Sequence, residues 1–115
     1  MKMDDNTLIA DLKERVARFT ADRSWERHHS PKNLSMAIAA EAAELMEHFL
    51  WDEPAASRER LGDPEQRKAI EEELADILIY CIQFSLTAGI DISTVFNRVM
   101  DRNDLRFPVK CWPIL

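Results

Sequence analysis

The sequence predicts an all-α fold, a four-helix bundle that assembles into a dimer or tetramer. Three observations carry this. Only two glycines, Gly62 and Gly89, occur in 115 residues that are 46% hydrophobic, which leaves few of the tight reversals that a sheet requires. Apolar side chains recur at helical spacing along most of the chain. Finally, Ile77 to Ile82 form a run apolar around most of a helix circumference. A helix apolar all round must be buried all round, and four short helices cannot readily enclose one of their own, so a copy-to-copy helix interface is expected.

Each element follows from local signals. The first helix is expected to begin after Asn6 or Thr7, carry Leu8, Leu12, Val16 and Phe19 on one stripe, and end near Asp22. A polar connector runs from Ser24 to Lys32, where Pro31 suits a helix start and favours an extended residue before it. The second helix spans about Asn33 to Trp51 and is closed by Pro54. The segment to Gly62-Asp63-Pro64 reads as a loop with room for a short turn of helix. A third helix extends from about Glu65 to about Thr87, with Gly89 as C-terminal punctuation. Asp91 or Ser93 caps a fourth, bearing Ile92, Val95, Phe96 and Val99. From Phe107-Pro108 to Leu115 the chain reads as irregular. Residues 1–115 thus form one domain, with a core over 8–109 and a tail over 110–115.

Bulk properties narrow the function. A net charge of −6 argues against binding to a nucleic-acid polymer, which needs basic stripes, but not against a nucleotide whose phosphates arrive with a metal. No apolar run reaches membrane-spanning length, and Met1-Lys2-Met3-Asp4-Asp5 has no signal-peptide hydrophobic region. Cys81 and Cys111 lack metal-ligand or redox spacing, and Cys81 lies in a buried-looking stretch; a reducing cytoplasm is expected.

Two acidic pairs hold the chemical information. Glu41 with Glu44, and Glu73 with Asp76, are each spaced i, i+3, so both carboxylates of a pair share one helix face. Both pairs adjoin apolar sequence, Met36 to Ala40 before the first and Ile77 to Tyr80 after the second. Residues 45–72 between them suffice for a loop and an antiparallel return, which would set the pairs across one groove. Singly, such pairs are usually solvated faces. Four carboxylates in an apolar groove would cost too much without a cation. Hard oxygen donors suit Mg²⁺, with Mn²⁺ as the alternative. Glu47 extends the first row by one step, whereas Glu72 reads as solvent-facing. Helical di-iron sites use Glu-x-x-His. That motif is absent: Leu45 precedes His48 by three, and His28 and His29 lie in the connector.

The ordered segments Trp25, His29-Ser30-Pro31-Lys32-Asn33-Leu34, Glu41-Ala42-Ala43-Glu44-Leu45, Phe49-Leu50-Trp51, Glu72 to Tyr80 and Asn103 to Pro108 resemble the MazG-like all-α nucleoside triphosphate pyrophosphatases. They are most similar to the dCTP pyrophosphatase branch, and the likeness covers about residues 8–109. It implies a four-helix subunit that forms a homodimer or homotetramer. It also implies Mg²⁺-dependent hydrolysis of a (deoxy)nucleoside triphosphate, dCTP or a 5-modified dCTP, to monophosphate and pyrophosphate. By the same resemblance, Glu41, Glu44, Glu73 and Asp76 are metal ligands. Trp51 and Tyr80 contact base and sugar, His29 lines the nucleotide pocket, and Asn103 and Arg106 serve the triphosphate. One departure is Val99, where the family often has a lysine; Arg98 or Arg102 is the available substitute.

The residues themselves supplement this reading. Trp51, beside Asp52-Glu53, is expected to keep an open ring able to stack on a base. Tyr80 is four residues beyond Asp76 on one helical face. Lys32 sits at a helix start, where backbone amides also attract anions. Trp25 divides evenly between pocket and core. Glu44 or Glu47 is the candidate base toward water, with Glu47 equally suited to orienting a ligand. Two other readings stand beside this one: a dUTP or dUDP hydrolase of the same superfamily, and a non-catalytic helical module that binds a nucleotide or a protein.

Overall fold

Side-chain caps and prolines set most of the helix starts in the computed structural model, which describes residues 1–110. Helix α1 spans Ile9–Asp22, and the Leu8 amide donates to Asp11 Oδ2 at 2.9 Å. Helix α2, Pro31–Glu47, has Ser30 as its cap: Ser30 Oγ accepts from the Asn33 amide at 3.1 Å, and Pro31 takes the first helical position. Helix α3 is the short Pro54–Arg60. Helix α4, Pro64–Ala88, repeats the cap-plus-proline device with Asp63 and ends at Gly89, whose φ of 67° only glycine adopts freely. Helix α5, Ile92–Arg106, is capped by Asp91, which accepts from both the Thr94 amide and hydroxyl. Asp91, not Ser93, is therefore the cap.

The Pro54–Gly62 segment, where room for a short turn of helix is expected, holds α3, so the described residues form five α-helices. One boundary differs from expectation. Helix α2 stops at Glu47, four residues short of Trp51. Here Phe49 N bonds to Met46 O and Asp52 N to Phe49 O, both at 2.9 Å, so three-residue turns replace the helical ladder. The cause is downstream. Pro54 demands an extended Glu53, whose ψ is 156°, and Arg60 holds Asp52 with two hydrogen bonds.

Helix α4 is the centre of the fold, with α2 packed along it most extensively and α1 next. The α2–α4 pair is antiparallel, since Glu41 lies near Asp76 while Glu47 and His48, farther along α2, share a cavity with Gln66 and Ala69. Leu34, only 1% exposed, anchors the core with Ile70 and Ile82. Between α1 and α4 the buried Thr20 hydroxyl donates to Gln83 Oε1 at 2.9 Å, so both polar groups are satisfied. Lys13 Nζ donates to Ile90 O at 2.7 Å and ties the end of α4 to α1.

Cys81 is exposed rather than buried. Periodicity explains this. Leu74, Leu78 and Cys81 fall at i, i+4 and i+7 on one stripe, and Leu74, Leu78 and Ile79 are about half exposed. The chain is open: its 9628 Å² of accessible surface compares with about 6,450 Å² for a compact chain of 13.3 kDa. Its radius of gyration is 17.0 Å, against about 13 Å for a compact domain of this length. Helix α5 leaves α4 at 105° and touches the other helices only sparsely. No single helix among the described residues is long and apolar enough to cross a membrane. The expected tail over 110–115 lies, from Cys111 on, outside the described residues.

Candidate metal centre

The antiparallel return of α4 on α2 brings the two acidic rows together. Ligand-capable oxygens of Glu41, Glu73 and Asp76 lie within 4.8 Å of one another. Glu44, exposed at the rim, stands close enough to Glu41 and Glu73 to hydrogen-bond with both when one of the pair is protonated. Glu41 Oε2 and Glu73 Oε2 are buried with no hydrogen-bond partner. Two such oxygens in a groove of four carboxylates are the donors a divalent cation would satisfy.

Electrostatics agree with the geometry. Burial, then the neighbouring Glu44, Asp76 and Glu73, push the Glu41 carboxyl above its ordinary 4.5. Burial and Glu44 also raise Glu73, with Asp76 adding to the effect, while the His48 imidazole pulls the other way. Both shifts have one physical origin: enclosure and like charges held close together disfavour the ionised form.

His48 was not singled out by its sequence. It follows Glu41 by seven residues and so returns to the same face of α2, a spacing that could have flagged it. Its Nε2 stands 3.9 Å from Glu73 Oε1. His48 also lines a cavity of about 470 Å³ with Glu47, Leu50, Trp51, Asp52, Arg60, Glu65, Gln66 and Ala69. Arg60, likewise unremarked in the sequence, braces this cavity through Asp52 and, at 2.8 Å, Gln66 Oε1. Glu47 faces the cavity and is not among the groups perturbing Glu41 or Glu73.

The remaining candidates are placed less uniformly. Trp51 is 91% exposed at the cavity edge, beyond the end of α2. Tyr80 is half-buried one turn past Asp76. His29 is half-buried, and its Nδ1 is enclosed without a partner. Lys32 is exposed in the first turn of α2. Trp25 follows Ser24, whose φ of 54° turns the chain, and its ring meets Phe19 edge-on at 5.6 Å between centroids. Asn103 and Arg106 lie on α5, and Arg106 rests over the Phe107 ring, 4.9 Å from its centroid. The sparsely packed α5 is thus not drawn into the α2–α4 groove.

Comparison with known proteins agrees with this architecture. The dCTP pyrophosphatase 1 of Rattus norvegicus is 36% identical over 101 residues, 88% of this chain and 59% of that protein. That of Homo sapiens is 34% identical over 100 residues, 87% and 59% respectively. The chain spans about three fifths of the length of the curated relatives it matches. A crystal structure of a pyrophosphatase from Archaeoglobus fulgidus matches with a TM-score of 0.82 at 31% identity, covering 93% of this chain and 99% of that one. The MazG-like family model matches residues 36–110, the span that contains all four clustered carboxylates. The chain belongs to the MazG-like family.

Proposed function

We propose that this chain is a nucleoside triphosphate pyrophosphatase, cleaving dCTP or a 5-modified dCTP to monophosphate and pyrophosphate with Mg²⁺, or Mn²⁺ in its place. The observation that carries the reading is the pair of buried, unpartnered oxygens, Glu41 Oε2 and Glu73 Oε2, inside a four-carboxylate groove. The names of the relatives, dCTP pyrophosphatase 1 and a pyrophosphatase, support the reaction class.

Glu41, Glu44, Glu73 and Asp76 would hold the cation, which neutralises triphosphate charge and makes a nearby water more acidic. Water oxygen bonds to the α-phosphorus as the bridge to the β-phosphate breaks, so pyrophosphate departs. Glu44, open to solvent beside Glu41 and Glu73, takes the water's proton; Glu47, on the cavity wall, is the alternative base. The exposed Trp51 ring offers a stacking face for the base, and the free His29 Nδ1 and the Tyr80 hydroxyl offer hydrogen bonds. Lys32 and Arg106 would counter phosphate charge, with Asn103 beside them on α5. Most of the acceleration is then positioning and charge stabilisation.

Self-association completes this reading. The excess surface of about 3,200 Å² and the half-exposed Leu74, Leu78 and Ile79 on α4 support a homodimer or homotetramer joined along that helix. The test is a panel of canonical and 5-modified (deoxy)nucleoside triphosphates with Mg²⁺, followed by chromatography. Monophosphate plus pyrophosphate from a deoxycytidine substrate is the expected result. No hydrolysis by folded, metal-supplied protein would overturn the enzymatic reading in favour of a binding module.

A further inference from the structure

The two oxygens of Glu73 have different surroundings. Oε2 is buried and unpartnered, whereas Oε1 faces His48 Nε2 at 3.9 Å. Both side chains are partly enclosed, 27% exposed for His48 and 22% for Glu73. His48 is the C-terminal cap residue of α2, and its ring meets Phe49 edge-on, with centroids 6.4 Å apart. It therefore lies between the acidic groove and the cavity that carries Trp51.

We propose that His48 is a positioning residue for the metal centre: its ring N–H engages Glu73 Oε1 and so orients Oε2 for the cation. The inference rests on the metal reading above. Carboxylates that ligate metals are commonly held by an outer hydrogen bond, and such bonds are often long before the ligand arrives. At 3.9 Å the two atoms are one small side-chain adjustment from hydrogen-bond distance. A neutral imidazole suffices, since only one donor is required.

The test is Mn²⁺ binding to nucleotide-free protein by calorimetry, alongside melting of each metal-free variant. His48→Leu removes the donor and should weaken Mn²⁺ about tenfold, the lower end for loss of an outer partner. His48→Gln, which retains an N–H donor, should bind close to wild type. In turnover, His48→Leu should raise the Mg²⁺ concentration needed for half-maximal rate more than it changes the KM for nucleotide. Should His48→Leu fail to fold, His48→Asn, polar but too short to reach Glu73, replaces it and should show the same weakening. Wild-type affinity in His48→Leu or His48→Asn, with binding abolished in Glu41→Gln, overturns the role of His48 alone. Wild-type affinity in Glu41→Gln as well overturns the metal centre and the proposal with it.

Discussion

Arg60 grips Asp52 with a two-pronged ion pair, Nε to Oδ2 at 2.7 Å and Nη2 to Oδ1 at 2.6 Å, across the turn that carries Trp51 out of α2. Paired planar geometry of this kind is more directional than a single contact. The Arg60 guanidinium holds the Asp52 carboxyl below its ordinary 3.8. A lowered carboxyl contributes stability that is present above the unfolded value and lost as pH falls through the folded one. Asp52→Asn should therefore lower the melting temperature at pH 7 by a few degrees, with the difference from wild type closing below pH 3.8. Arg60→Lys, which cannot make both contacts, should raise KM for nucleotide several-fold with little change in kcat. Thermal melts across pH and steady-state kinetics check both.

The acidic groove titrates with the opposite sign. Glu41 and Glu73 have raised carboxyls, so the metal-free folded protein binds more protons than the unfolded chain as pH rises past 4.5. Its stability must then fall with rising pH through that window. Glu41→Gln should remove part of this slope and melt higher than wild type when metal-free at pH 7. The same substitution should reduce pyrophosphate release at least a hundredfold, as should Asp76→Asn. Denaturation in chelator and a pyrophosphate assay with Mg²⁺ would report the two effects separately.

Among the described residues Leu34 is the one large side chain fully enclosed. Leu34→Ala should cost about 2–5 kcal/mol, the usual range for a buried leucine with a cavity left behind. Because Leu34 stands one turn from the Ser30 cap, the loss should also loosen the connector holding His29. Chemical denaturation measures the first effect, and amide exchange of residues 26–34 the second.

The α4 stripe predicts assembly. Leu78→Asp or Ile79→Glu would place a charge on the half-exposed apolar face and should yield a smaller species in sedimentation, less stable than wild type. If the variants sediment as wild type does, association through this face is wrong.

Much of this arrangement was legible in the sequence for a local reason. Pro31, Gly89 and Asp91 act over four residues or fewer, so the helix ends beside them could be read directly, whereas the caps Ser30 and Asp63 were left in the flanking loops. The i, i+3 pairing of Glu41 with Glu44 and of Glu73 with Asp76 likewise needs only a helix and a hairpin to converge. What escaped is non-local. The early end of α2 depends on Arg60 reaching back eight residues to Asp52. His48 was tested only for a ligand spacing within its own helix, whereas its partner, Glu73, is on α4. Cys81 has apolar neighbours but points outward, because hydrophobicity along a helix does not specify which side a neighbour covers.

The turn between α4 and α5 has a mechanical consequence. Gly89 and Ile90 form a narrow pivot, and α5 is a rigid rod of 15 residues, about 22 Å long at 1.5 Å per residue. Arg106 sits at its tip, so a swing of only about 10° at the pivot carries the guanidinium through about 4 Å, by that same length. The rod packs only weakly on the other helices. The reach of its terminal arginine is therefore set by whatever surface it leans on, and small changes at Gly89 are magnified at the far end.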